Sequence, residues 1–292
     1  MEPILEVKNL CKNYGNFSLK NVNIRLDRGY IMGFIGPNGA GKSTTIKLIM
    51  NLIKKDSGTI KIFQLDHQKN ELAIKDRIGF VYDENYYYEE LTVEEMKNFV
   101  KPFYSRWDEA AFKNYVDQFE LPLKKPIKNL SKGMKMKFSL AIALSHHAEL
   151  LIMDEPTSGL DPIIRSEFLE ILQSFIQDEN KSVFFSTHIT SDLDKIADYI
   201  TLIDDGEIIL SKTKDELMEE YCLIKGTSDM VESLPMNSII GIRKNAFGFE
   251  ALSSNKKLFT KTFGDSVIIE KPTLEDIMIF STKRRGQYAS SY

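Results

Sequence analysis

Phe34-Ile35-Gly36-Pro37-Asn38-Gly39-Ala40-Gly41-Lys42-Ser43-Thr44 decides how this chain is read. The stretch fits G-x-x-x-x-G-K-[ST] and continues the apolar run Ile31 to Ile35. A buried strand, a glycine-rich turn and then a helix are what a phosphate-binding loop needs. Its glycines let backbone N–H groups converge on a polyphosphate with no Cβ atoms in the way. A helix expected to start near Lys42 adds the positive end of its dipole. The candidate cradle is Gly36, Pro37, Asn38, Gly39, Ala40, Gly41, Lys42, Ser43 and Thr44. Lys42 is expected to reach the β- and γ-phosphates, and the Ser43 hydroxyl to ligate Mg²⁺.

A phosphate loop needs a second site for metal and water. Glu149-Leu150-Leu151-Ile152-Met153-Asp154-Glu155 is an apolar run ending in two carboxylates. Acid at the end of a buried strand is costly without a partner. Mg²⁺ with its water shell is the expected partner of Asp154. Glu155 fits the general base that polarises the attacking water.

The bulk properties narrow the class. The chain has 292 residues, enough for a full core and two domains. Charged residues are 27% and the formal net charge is −4, which argues against a general nucleic-acid surface. Two distant cysteines, Cys11 and Cys222, suit a reducing compartment and offer no metal framework. No apolar run approaches the roughly 18 residues of a membrane span. Met1-Glu2-Pro3-Ile4 has no basic n-region or apolar h-region, so no secretion signal is expected.

Residues 4–10 alternate in polarity and read as an edge strand, and residues 17–26 read as a second strand. Antiparallel β-structure should therefore flank the loop. Thr44 to Leu52 reads as a helix, and Ser57 to Phe63 and Ile78 to Tyr82 as strands. Residues 91–146 turn to helical spacing broken by Pro102, Pro122 and Pro126, a helical insertion in an α/β core. Thr92 and Glu95 form a capping box at its start. Strand periods return at Leu150–Met153, Ser182–Phe185 and Tyr199–Ile203. Asp205-Gly206 between two apolar runs is a hairpin signal. A helix from Thr213 to Glu220 closes the first domain, residues 1–220. Residues 221–292 restart with short strands and a helix capped by Thr273, with Glu275 and Asp276 in its first turn. The last ten residues are expected to fray. The fold class is thus α/β: a P-loop NTPase core with an antiparallel β subdomain and a helical insertion, plus a small C-terminal α+β domain.

Further motifs, in order, carry a resemblance. Leu130-Ser131-Lys132-Gly133-Met134 lies between the phosphate loop and the acidic strand. Ser158-Gly159-Leu160-Asp161 follows the base, Ser186-Thr187-His188 ends the next strand, and Tyr14 precedes the loop. Over residues 1 to about 220 the chain resembles the ATP-binding subunit of an ABC transporter. The resemblance implies that Tyr14 stacks on adenine, that His188 senses the γ-phosphate, and that Asp161 lies in a dimer-contact loop. It also implies two ATP sites shared across a head-to-tail ATPase dimer. Ser131 and Gly133, at a capped helix start suited to anions, would serve the partner's γ-phosphate. A homodimer is favoured, with both sites catalytic.

The departures are local. Asp83 stands where the family usually has glutamine and is counted as a candidate metal ligand. Lys132 replaces the first signature glycine, and Met134 the signature glutamine. Residues 82–92, rich in tyrosine and ending Glu89-Glu90-Leu91-Thr92, lie where the family docks its membrane subunit. The overall pattern resembles Gram-positive exporters of bacitracin-like antibiotics, lantibiotics and amphipathic peptides. ATP and Mg²⁺ are the implied cofactors. A separate polytopic membrane subunit, docked near Tyr82–Thr92, is the implied partner, with no nucleic acid. The expected location is the cytoplasmic face of the cell membrane. The alternatives are a soluble ATPase of the same type, or a slow-hydrolysing sensor or immunity module.

Overall fold

The computed structural model describes residues 2–82 and 87–282. Asp83 falls outside the described residues, as do the last ten positions. Strands β1 (Pro3–Asn13), β2 (Ser18–Asp27) and β3 (Ile31–Ile35) lead to α1 (Lys42–Ile49). Then come β4 (Ser57–Ile62), β5 (Leu65–Asp66), α2 (Glu71–Lys75) and β6 (Ile78–Tyr82). Helices α3 (Val93–Val100), α4 (Glu109–Gln118) and α5 (Lys132–Ser145) follow. The core resumes with β7 (Leu150–Asp154), α6 (Pro162–Phe175), β8 (Ser182–Thr187) and α7 (Thr190–Ile196). It ends with β9 (Tyr199–Asp204), β10 (Glu207–Thr213) and α8 (Lys214–Glu220). The rest is β11 (Cys222–Gly226), β12 (Ile239–Asn245), β13 (Gly248–Ser253), α9 (Lys256–Phe263), β14 (Ile268–Glu270) and α10 (Leu274–Ser281).

Three sheets organise these elements. The central sheet runs β10-β9-β3-β8-β7-β6. Its inner strands pair in parallel, and β10 returns antiparallel through the Asp205-Gly206 hairpin. Both hairpin residues have positive φ, 46° and 76°, the geometry the dipeptide favours. Strands β3, β7 and β8 are buried along their whole length because both faces of the sheet are covered. Met32, Phe34, Ile152 and Phe184 point to one face and pack with α1 against the antiparallel sheet. Ile31, Ile35, Met153 and Phe185 point to the other, against the helices.

The antiparallel sheet runs β2-β1-β4-β5. Here the expectation of an edge strand at residues 4–10 is corrected. Strand β1 pairs with β2 on one side and β4 on the other, so it is interior. Its polar residues Glu6 and Lys8 face outward, and that solvated face produced the alternation. A half-exposed interior strand of an antiparallel sheet has the same pattern as an edge.

The third sheet runs β12-β13-β11-β14 and has its own apolar centre around Cys222, Ile224, Phe249 and Phe259. Helix α10 joins this sheet to the main core, with Phe280 against Gly241 and Arg243 of β12. Leu274 and Ile277, from its start, are fully buried in the main core.

Candidate nucleotide site

Strand β3 ends at Ile35 and the chain turns through Gly36 to Gly41 into α1. Gly41 sits at φ 114° and Gly39 at φ 80°, conformations that favour glycine. A Cβ on Gly36 would stand 2.2 Å from the Ile203 carbonyl oxygen. The loop is closed by Ala40 N–H donating to the Pro37 carbonyl at 3.1 Å and Gly206 N–H to the Ala40 carbonyl at 3.0 Å. Helix α1 begins at Lys42, where the loop's reading places its start, and ends at Ile49, short of the expected Leu52.

Lys42 is 6% exposed. Its Nζ donates to the Gly36 carbonyl at 2.8 Å and lies 3.2 Å from Glu155 Oε1. Glu155 Oε2 accepts two bonds from His188, one from the backbone N–H at 3.1 Å and one from Nδ1 at 2.8 Å. Thus Lys42, Glu155 and His188, from three separate stretches of sequence, form one charged cluster. The sheet explains the convergence. Strands β3, β8 and β7 are neighbours in register, with Ile35 opposite Thr187 and Ser186 opposite Asp154. Their carboxyl ends are level, the usual place for a ligand in an open α/β sheet.

Asp154 lies beside this cluster, 3% exposed. It accepts the Ser186 hydroxyl at 2.5 Å and is also hydrogen-bonded by Ser43. Burial pushes its carboxyl above the usual range, only partly countered by the two hydroxyls and Lys42. Ser186 was not among the sequence candidates; its position opposite Asp154 depends on strand register. The donor set fits a hard cation. A hydroxyl and a buried carboxylate short of positive charge are oxygen ligands of the kind Mg²⁺ takes.

Other candidates gather elsewhere. Ser131 caps α5, its Oγ accepting the Met134 N–H at 3.2 Å. Asp161 caps α6, its carboxylate accepting the N–H groups of Ile163 and Ile164 at 3.0 and 3.1 Å. The two helix starts touch. A Cβ on Gly133 would stand 3.1 Å from Ile164 Cγ2, and the Lys132 side chain lies along Gly159. Tyr14 is half exposed, with Lys12 Nζ 5.4 Å from its ring centre. Of the expected docking tyrosines, Tyr86 is outside the described residues. Tyr87 is packed on Phe138 with its hydroxyl on Ser139, and Tyr88 is exposed.

A phosphate loop, an acidic strand end and a switch-like histidine on one parallel sheet define a P-loop ATPase. Comparison with known proteins sharpens the class. The family model described as ABC transporter matches residues 19–158. The bacitracin transport ATP-binding protein BcrA of Bacillus licheniformis is 36% identical, over 72% of this chain and 69% of its own. The lantibiotic transport ATP-binding protein SrtF of Streptococcus pyogenes is 36% identical, over 74% of this chain and 95% of its own. A solved structure of an ATP-binding subunit of an ABC transporter matches with TM-score 0.68 and 30% identity, over 74% of this chain and 92% of that one. The chain belongs to the ABC transporter family, as an ATP-binding subunit. Such subunits hydrolyse ATP to drive transport through a separate membrane partner. Among the described residues, no helix is long and apolar enough to cross a membrane.

Proposed function

We propose that this chain hydrolyses Mg²⁺–ATP in a head-to-tail homodimer at the cytoplasmic face of the membrane, and so powers export of a peptide antibiotic or similar amphipathic compound. The observation that carries the reading is the Lys42–Glu155–His188 cluster beside Asp154. Lys42 would hold the β- and γ-phosphates, with the backbone of Gly36 to Thr44 closing around them. Glu155, once Lys42 turns to phosphate, is free to accept a proton from the attacking water. His188 keeps Glu155 oriented and would report loss of the γ-phosphate. Ser43 and Asp154 would hold Mg²⁺, which supplies charge neutralisation at the phosphate oxygens. Tyr14 would stack on the base. Asp83, by its place after β6, is assigned to the same metal environment. Ser131 and Gly133 would contact the nucleotide of the partner protomer, and Asp161 would lie at the dimer seam. The cargo class rests on the printed names of BcrA and SrtF.

The membrane subunit would dock near Tyr82–Thr92. Tyr88, Phe99 and Phe103 form an exposed aromatic ladder, with ring centres 5.2 and 5.9 Å apart. Tyr88, Glu89, Glu90, Leu91 and Phe99 line an open hollow of about 410 Å³. Solvent-facing aromatics in contact with one another are a typical interface anchor.

The experiment is affinity purification of tagged Glu155→Gln from membranes with ATP and Mg²⁺. A polytopic membrane protein in about equal amount supports the reading, as does a dimer of this chain that persists only with ATP. Recovery of ribosomes, or of a monomer at every ATP concentration, sinks it. Phe103→Ser should leave folding and ATP affinity intact while reducing recovery of the membrane protein.

A further inference from the structure

Helix α7 begins two residues after His188, and its neighbours hold it unequally. On one side it packs against α10, with Leu193 and Ile196 in the same apolar cluster as Leu274 and Ile277. There the Asp194 carboxylate accepts the Leu274 backbone N–H. Lys214 Nζ donates to the Asp194 carbonyl at 3.0 Å. This side is anchored by both apolar and polar contacts.

On the side of α6 the contact is incomplete. Asp192, 1% exposed, has its Oδ1 4.0 Å from Arg165 Nε. Neither Arg165 Nε nor Asp192 Oδ2 has a hydrogen-bond partner among the described residues. Thr157 Oγ1, on the stretch leading into α6, is also buried without one. A buried carboxylate held just beyond reach of a guanidinium bears its desolvation cost without the full compensation of a charge-assisted pair. A displacement of about 1 Å closes an Nε–O separation of this size to ordinary hydrogen-bond length.

We infer that Arg165 and Asp192 are positioning residues, and that closing Arg165 onto Asp192 couples the His188 side of one ATP site to the Ser131 helix start that serves the other. With α7 anchored by α10 and Lys214, the first turn of α6 is the part that shifts. That turn bears Ile164 against Gly133, and the loop before it bears Gly159 against Lys132. Movement of α6 is therefore transmitted to the residues flanking Ser131. The inference rests on the shared-site dimer reading, because only there does Ser131 act on the partner's nucleotide.

The test uses the full-length Glu155→Gln protein as parent and adds Asp192→Asn or Arg165→Lys. A packing role and a coupling role predict opposite signs. Asp192→Asn keeps the shape and removes the under-compensated charge. The nucleotide-free variant should melt at or above the parent temperature, yet its ATP-dependent dimer should dissociate at about tenfold higher protein concentration. Arg165→Lys keeps the charge but loses the planar fork, and should fall between the two. ATP affinity of the monomer should match the parent in both. Hydrogen exchange at the first-turn amides of α6 gives a readout that does not need dimers. ATP should slow it in the parent and not in Asp192→Asn. Parent-like dimerisation and exchange in Asp192→Asn, or its failure to fold, overturns the inference. A parent that never dimerises overturns the shared-site reading instead, and the exchange comparison then decides whether ATP closes α6 on α7.

Discussion

Glu155 holds a φ of 50°, a left-handed conformation that costs a non-glycine residue roughly 1–3 kcal/mol unless its surroundings impose it. Three contacts impose it: its N–H on the Ser186 carbonyl at 2.9 Å, and its two carboxylate oxygens on Lys42 and His188. The bend turns the side chain from the strand toward Lys42. A neutral amide cannot pair with the Lys42 ammonium and accept from His188 as well, so Glu155→Gln weakens the cluster while keeping its shape. Gly36 carries a different constraint, purely of space. Gly36→Ala puts a methyl 2.2 Å from a backbone oxygen that cannot swing aside. We expect a loss of about 1–3 kcal/mol in stability and loss of ATP binding, because the loop must be displaced. Gly39 is the contrast: its Cβ would meet nothing within 4 Å, and only its φ of 80° resists alanine. Gly39→Ala should therefore cost about 1 kcal/mol and keep more of the ATP affinity. Thermal unfolding and nucleotide titration of the two variants check the ordering, and equal losses would contradict it.

At the scale of the element, helix starts were the most legible feature of the sequence. Thr92 with Glu95, Thr213 with Glu216 and Thr273 with Asp276 all make reciprocal capping bonds. These signals are local, so a linear reading finds them. The central strands were legible too, because strands buried on both faces read as unbroken apolar runs. Pairing was not. β1 read as an edge because alternation reports a solvated face and says nothing of neighbours. Within the short strands expected of residues 221–292, β11 and β13 were not placed individually because neither is announced by a clean alternation, and α9 was missed because its lysines and threonines hide a single buried Phe259. The residues of the site were visible one by one, whereas the contact of Lys42 with Glu155, and the place of Ser186 on Asp154, depend on register. Ser131 gives this scale its prediction. Its cap is worth about 1 kcal/mol to α5. If it also serves the partner's phosphate, Ser131→Ala should lower ATPase activity by more than tenfold while lowering stability by only that amount. A fall in rate that merely follows the unfolded fraction would leave Ser131 a cap and nothing else.

Across the whole molecule, the end of the sheet remote from the nucleotide site is held by charge and by one buried histidine, and both respond to acid. Glu149 accepts Arg77 at 2.8 and 2.7 Å and is also met by Arg28 and Arg106, so residues preceding β3, β6, α4 and β7 share one carboxylate. Arg77 foremost holds the Glu149 carboxyl below its usual 4.5, a stabilisation present above that pH and lost as pH falls through the lowered value. His146, at the end of α5, acts earlier. It is fully buried and stacked on Tyr104 at 3.8 Å. Burial pushes its pKa from 6.5 down to about 4, with Asp76 opposing and Arg106 assisting. The unfolded chain therefore takes up a proton below about 6.5 that the folded chain refuses until about 4. In that window the unfolded state binds more protons, so stability falls as pH falls, by about 3 kcal/mol once the shift is fully expressed. His146→Leu removes the proton site and fills the same buried space with an apolar side chain. At pH 7.5 the variant should lie within about 1.5 kcal/mol of the parent. Urea unfolding at pH 7.5, 5.5 and 4.5 should then show the parent losing stability relative to the variant at each step down. Parallel curves for the two proteins would mean that His146 takes its proton in the folded state as readily as in the unfolded one, and that acid acts on this fold through other groups.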